Sequence, residues 1–238
     1  MINMRKQEIL NRINPLFLKG VMHRGYHDET ITENSLEAFK KAIDSNYAFE
    51  LDVHLSKDNH LIVSHDSSLK RTTNKEGIIE ELSLKEIKEN YRLLNNEEVP
   101  TLEEVLALNN EKVPMVIEWK PYTKTKNYKV LALALSKVLN KVKDSSNFII
   151  ISFYPQCLMH MDKKKFIRAL LINKENTRTF LLRHLFEGLD LEYCLLDKEK
   201  FAKAKKKKLI MCWTIRNKEE FNNYKKRCDS ITFENIKV

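Results

Sequence analysis

The sequence predicts an α/β fold built on a parallel sheet, either a closed barrel or a doubly wound domain. Apolar, β-branched runs alternate regularly with amphipathic segments, the pattern of parallel strands with helices outside them. The 238 residues can bury one large core more readily than two small ones. No linker rich in Pro, Gly or Ser divides the chain and no internal repeat is visible, so a single domain over residues 1–238 is expected.

The candidate strands are residues 18–22, 48–55, 61–65, 113–119, 148–153, 167–172, 193–196, 209–215 and 230–233. That is one more than an eight-stranded barrel needs. Three helix starts are well marked. SLEAFKKAI follows Asn34 as cap, with Glu37 three residues on; SLKEIKENY starts at Ser83, and TLEEVLAL starts at Thr101 after Pro100. Residues 67–100 read as a long irregular loop with one short helix, which leaves space for only a short insertion.

Lys and Arg outnumber Asp and Glu by 42 to 33. This favours an anionic partner, but much of the excess is lysine in runs such as KAKKKK, Lys203 to Lys208, which reads as a solvated helix end. No aromatic interleaving suggests nucleic acid. Cys157, Cys194, Cys212 and Cys228 form no CxxC pair, so neither a zinc site nor a disulfide framework is indicated. The thiols are expected reduced and mostly buried. Residues 1–19 lack an uninterrupted apolar run, and no stretch reaches the roughly 20 apolar residues of a membrane span. The cytoplasm is the expected address; oligomeric state is not legible.

The stretch FELDVHLSKDNHLIVSHD, Phe49 to Asp66, breaks the pattern of a core strand. Glu50, Asp52 and His54 occupy alternate positions, and a buried carboxylate costs several kcal/mol unless something positive compensates it. Asp58-Asn59 resembles a two-residue hairpin turn, Asn tolerating positive φ. That loop sets Lys57 opposite His60 and Asp52 opposite His65, with Leu51, Val53, Leu55 and Ile62 on the other, apolar face. His54 then faces Val63 and is not expected as a ligand.

Two acids two residues apart on one strand aim hard oxygens at one point, a half-site for Mg²⁺ or Ca²⁺. Taken alone they could equally be exposed edge acids. Glu118, in VIEWK, adds a third at the end of another strand, with Lys120 beyond it. His23-Arg24-Gly25 follows the first strand at that same edge. Arg24 could hold a phosphate, Gly25 could let backbone approach a ligand, and His23 with His65 could serve acid and base chemistry at neutral pH.

The order HRG, EN, ELDVHLSKDNHLIVSHDSSLKRTT, VPTLEEVL, IEWK, ISFYP and CWTIRN resembles the glycerophosphodiester phosphodiesterases from His23 to about Glu234. The resemblance implies a TIM (β/α)8 barrel of the phospholipase-C-like phosphodiesterase type, with an irregular β-hairpin in the second strand region. It implies that Glu50, Asp52 and Glu118 bind one divalent cation, Mg²⁺ or Ca²⁺, with Mg²⁺ preferred for a cytoplasmic protein. His23 and His65 would be general acid and base, and Arg24 and Lys120 would contact phosphate. Trp213 would either line the mouth near the glycerol or be a buried barrel aromatic. The implied reaction hydrolyses a small-molecule glycerophosphodiester to glycerol 3-phosphate and an alcohol. Water or the glycerol 2-hydroxyl could be the nucleophile, and either histidine the acid. The alternatives are release of head groups from lysophospholipids, as a phospholipase D would, and a catalytically silent phosphate-binding barrel. The chain departs from the family at ENS for ENT, Asp58-Asn59 for a DG turn, Asn46 for glycine, and ITFEN for ITD, with Glu234 a loose substitute.

Overall fold

Eight parallel strands close into a ring in the computed structural model, which describes residues 3–122 and 124–237; Met1, Ile2, Thr123 and Val238 lie outside it. The strands are β1 (Val21–Met22), β2 (Ala48–Leu55), β3 (Leu61–Val63), β4 (Met115–Trp119), β5 (Phe148–Ser152), β6 (Ile167–Ile172), β7 (Gly188–Glu192), β8 (Leu209–Ile215) and β9 (Ser230–Phe233). Each ring strand pairs with the next in parallel, β2 passes directly to β4, and β1 pairs with both β2 and β9 to close the barrel. The surplus strand is β3, antiparallel to β2 and outside the ring.

Side-chain alternation sorts the strands into two cores. Val21, Ala48, Val116, Ile149, Leu171 and Met211 pack inside the barrel, and Ile9, Ile13 and Phe17 of the N-terminal segment join them. Phe49, Leu51, Val53, Met115 and Ile117 face outward against the helices. The period of two therefore places Glu50 and Asp52 on the inner face, above Ala48.

Several expectations are corrected. The seventh ring strand is Gly188–Glu192, and residues 193–196 begin with the 3₁₀ turn Tyr193–Leu195. A glycine and an inward aspartate disguise this strand, and Tyr-Cys-Leu-Leu only continues the apolar run. The hairpin register is shifted by one: Leu55 faces Leu61, His54 faces Ile62 and Val53 faces Val63. The loop is three residues, Lys57 to Asn59, because Ser56 and His60 pair and Asn59 alone takes a positive φ of 67°. Leu61 and Val63 thereby share the apolar face with Leu55 and Val53, while Ile62 joins a separate cluster.

The helix Leu36–Asp44 is capped by Ser35, whose hydroxyl accepts from the Ala38 N–H at 3.1 Å, and not by Asn34. Ser83 and Thr101 do cap their helices, each in a capping box. Residues 67–100 are more ordered than a loop. Three short helical segments, Lys70–Thr73, Ile79–Glu81 and Leu84–Asn90, bury Leu69, Ile79, Ile87 and Val99 with Ile62 in a small core of their own. Lys208, at the end of the lysine run, is buried and donates to the Phe186 carbonyl; burial pushes its ammonium down to about 8. Cys157, Cys212 and Cys228 are buried free thiols and Cys194 is exposed. Among the described residues no helix is long and apolar enough to cross a membrane.

Candidate active site

The C-terminal ends of the ring strands bring the acids together. Glu50 and Asp52 rise on β2, and the parallel register sets Asp52 beside Glu118 of β4. One carboxylate oxygen from each of the three lies within 4.8 Å of the others. Glu50 is 2 % and Asp52 1 % exposed, so this is a concentration of negative charge taken out of water. Protein cations offset it only in part. Lys120 Nζ lies 3.0 Å from Glu118 and 3.2 Å from Asp52, and Arg24 Nε lies 3.5 Å from Asp52.

The pKa directions follow from this crowding. Burial, then the charges of Asp52 and Glu118, pushes Glu50 well above the ordinary carboxylate range. Burial and Asp52 raise Glu118 to about 6 against the pull of Lys120. Burial would raise Asp52 too, but Lys120 and Arg24 outweigh it and hold that carboxyl low. The three acids fit a divalent cation on two grounds. Their donors are hard oxygens, and Asp52 Oδ1 is buried with no well-directed hydrogen bond, its cationic neighbour being the shared Lys120 Nζ at 3.2 Å.

The two histidines are mounted alike. His23 Nδ1 bonds Glu234, leaving Nε2 4.0 Å from Glu50. His65 Nδ1 bonds Asp66 Oδ1 at 2.7 Å. In each ring a carboxylate holds Nδ1 and leaves Nε2 to act. Both rings line a cavity of about 160 Å³ with Arg24, Glu50, Glu118 and Trp213. Burial lowers both imidazole pKa values from 6.5, against the pull of Glu234 on His23 and of Asp52 on His65.

Buried polar partners hold this arrangement. Arg24 donates through its backbone N–H to Glu50 at 3.0 Å and through its guanidinium to Glu33 at 2.9 Å. Arg71 joins Glu33 to Asp66, so one chain of ion pairs links Arg24 to His65. Asn34, with a φ of 56°, turns its amide to donate to Asp52 at 3.0 Å, which explains why it does not cap the helix. His54 binds Glu80 at 2.7 Å and the His65 carbonyl at 3.2 Å, so it braces the segment that carries His65 and takes no place among the acids. Gly25 approaches protein: at its φ of 76° an added Cβ would lie 2.7 Å from the Ala38 carbonyl carbon.

All eight sequence-selected residues meet at this end of the barrel. His65 arrives by a different register from the expected one, with the Ser64 N–H bonded to the Asp52 carbonyl. Trp213 is half-buried, its indole N–H 3.3 Å from the Asp190 carbonyl and its ring edge-on to Phe153 at 5.7 Å. Glu234 is more than a loose substitute: it also pairs with Arg216 at 2.7 Å, and although burial opposes it, the His23 contact brings its carboxyl to about 2. Sequence reasoning missed Arg71 and Asp190. Arg71 lies in the quoted KRTT and could have been weighed; Asp190 was hidden with its strand.

This placement of polar groups at the C-terminal mouth of a closed parallel barrel is that of TIM-barrel proteins. Residues 23–236 match the glycerophosphoryl diester phosphodiesterase family, and the chain belongs to it. A glycerophosphodiester phosphodiesterase of Caldanaerobacter subterraneus subsp. tengcongensis is 39% identical over 99 residues, 39% of this chain and 40% of the relative. Bovine glycerophosphodiester phosphodiesterase 1 is 31% identical over 157 residues, 60% of this chain and 45% of the relative. The chain thus spans less than half the length of these curated relatives. The crystal structure of a glycerophosphodiester phosphodiesterase from Thermotoga maritima superposes with a TM-score of 0.73 at 28% identity, covering 90% of this chain and 93% of that one. An Oleispira antarctica phosphodiesterase in complex with the product sn-glycerol-3-phosphate shares the fold, with a TM-score of 0.79 at 22% identity, covering 90% and 91%.

Proposed function

We propose that the protein hydrolyses glycerophosphodiesters to glycerol 3-phosphate and a free alcohol, with one divalent cation held by Glu50, Asp52 and Glu118. The observation that carries this is the cluster of three carboxylates beside one cavity, which Glu50, Glu118 and the two carboxylate-held histidines line. Family membership and the Thermotoga relative support the same substrate class. The reading takes residues 1–238 as one catalytic domain in the cytoplasm, and Mg²⁺ in preference to Ca²⁺.

When bound, the cation would supply Lewis-acid neutralisation of a phosphate oxygen. Arg24 faces the cavity and would orient the phosphodiester through its guanidinium. Lys120, lodged between Asp52 and Glu118, would hold those carboxylates in place and add positive charge against the transition state. One histidine Nε2 takes the proton of the attacking water as its oxygen bonds to phosphorus, and the other gives a proton to the alcohol oxygen whose bond to phosphorus breaks; if the glycerol 2-hydroxyl attacks first, the alcohol leaves in the same way and water then opens the cyclic phosphate. Glu234 and Asp66 hold the rings for those transfers.

The test is an assay of glycerol 3-phosphate release from several head-group diesters and from acyl-bearing lysophospholipids, with Mg²⁺, Mn²⁺ and Ca²⁺. Release from glycerophosphocholine or its relatives is expected. Turnover of acyl-bearing substrates alone would replace the proposal with the phospholipase D reading, and binding without turnover would replace it with the silent barrel.

A further inference from the structure

The excess of positive charge is not spread over the molecule. The segments that lead into the ring strands, residues 3–20, 45–47, 110–114, 140–147, 160–166, 186–187, 205–208 and 225–229, carry 17 Lys and Arg against six Asp and Glu. That net charge of +11 exceeds the +9 of the whole chain, so the rest of the molecule, the mouth included, carries a net −2. Because the ring strands all run the same way, these segments share the end of the barrel opposite the mouth. The N-terminal segment crosses that end and ties it together. Asn14 bonds Asn147 at 2.8 Å, Arg12 donates to the Lys163 carbonyl at 2.7 Å, and Lys6 donates to the Lys205 carbonyl at 3.0 Å.

Most acids of this end are committed to internal partners. Asp229 pairs with Lys6 at 2.7 Å and Glu187 with Arg168 at 2.9 Å, while Glu111, Asp144 and Asp162 accept from backbone N–H groups at 3.1 Å or less. Lys163, Lys164, Lys206, Lys207, Lys225 and Lys226 stand exposed. A surface that serves solubility alone intersperses both signs; here one sign is gathered on one face, where the like charges repel each other. Exposed apolar side chains share that face. Met159 and Leu185 lie at the foot of β6, whose Arg168 donates to the Leu158 and Leu185 carbonyls at 3.2 and 2.8 Å, and Met4 opens the N-terminal segment. Lysine head groups around scattered apolar tips match a bilayer surface: the ammonium groups meet lipid phosphates and the tips enter the headgroup layer. Nucleic acid would favour aromatic stacking, and among the described residues none of the exposed large apolar side chains is aromatic.

We infer that the end of the barrel opposite the mouth is a docking face for an anionic bilayer, held there by its lysines and released by salt. Docked in this way, the mouth points away from the lipid and stays open to solutes in water. The inference concerns binding and does not depend on the reaction.

The experiment is co-sedimentation of the full chain with vesicles of phosphatidylcholine alone or with about one third phosphatidylglycerol, at about 0.1 M and about 0.5 M salt. Binding to the anionic vesicles at the lower salt is expected, with loss at the higher salt and none to the neutral vesicles. Combining Lys163→Glu, Lys164→Glu, Lys206→Glu and Lys207→Glu should weaken that binding by about a hundredfold or more. Combining Lys57→Glu, Lys70→Glu, Lys85→Glu and Lys124→Glu, all exposed and outside these segments, lowers the net charge equally and should weaken it by less than about tenfold. Failure of the wild type to bind the anionic vesicles overturns the docking face, whatever the variants do. Equal losses from the two sets also overturn it, since net charge alone would then account for the binding. Tighter binding to an unrelated RNA duplex than to the vesicles at the same salt replaces the bilayer with nucleic acid.

Discussion

At the scale of single residues, the site assigns unlike roles to like side chains. His23 and His65 each give Nδ1 to a carboxylate, whereas His54 spends both nitrogens on Glu80 and a backbone carbonyl. Only the first two have a nitrogen left for chemistry. Replacement of either by alanine should lower turnover by about 10² to 10⁴ with the fold retained, the usual worth of general acid or base catalysis. Steady-state rates beside a circular dichroism melt check this; a folded variant at full activity would remove that histidine from the mechanism. The acids differ as much. Glu118 has a folded pKa of about 6 against an ordinary 4.5. Without cation, the stability it contributes is present below the ordinary value and lost as pH rises through about 6. A cation on the three carboxylates competes with that proton. The rise in melting temperature on adding Mg²⁺ or Ca²⁺ should therefore be larger at about pH 7.5 than at about pH 5. A shift independent of pH would mean that the cation binds elsewhere.

At the scale of elements, legibility tracked how much of each signal was local. The strand AFELDVHL could be read because apolar residues alternate with Glu50 and Asp52, and the strand VPMVIEW because a long apolar run ends in Glu118. The capping boxes at Ser83 and Thr101 depend on residues three apart and were equally plain. The hairpin register depended on loop length, which Asp58-Asn59 does not determine alone. One extra loop residue moved every pairing by one, yet the turn still delivers His65 to the cavity. Asn59 carries that turn in left-handed backbone, at φ 67°. Asn59→Val should cost about 1 to 2 kcal/mol and Asn59→Gly almost nothing. Denaturant titration distinguishes them, and equal stabilities would contradict the turn geometry. The seventh strand was missed because GLDLE offers only two leucines, and its inward side chain, Asp190, answers to the cavity and not to the core. Likewise Lys208 could not be separated from its lysine run, since only the fold folds it under against the Phe186 carbonyl.

At the scale of the whole molecule, closure of the ring makes the site possible. Glu50, Asp52 and Glu118 come from adjacent strands, but His23 and Glu234 meet only because β1 pairs with β9, some two hundred positions away in the chain. Opposite the mouth, Ile9, Ile13 and Phe17 pack on the inner residues, so this end of the barrel is filled while the mouth keeps its cavity. The small core formed around residues 62–99 lies outside the ring, and its Glu80 and Arg71 reach back to brace the His65 turn. Barrel and insertion together hold several buried charges in a region where protein cations do not fully balance the acids. We propose that a bound divalent cation completes that balance and that hydrolysis depends on it. The decisive measurement is the rate of glycerol 3-phosphate release from glycerophosphocholine after exhaustive chelation and again after Mg²⁺ or Ca²⁺ is restored. Loss of the rate on chelation and its recovery on adding back one of these ions is the predicted result; a rate that survives chelation unchanged would contradict it.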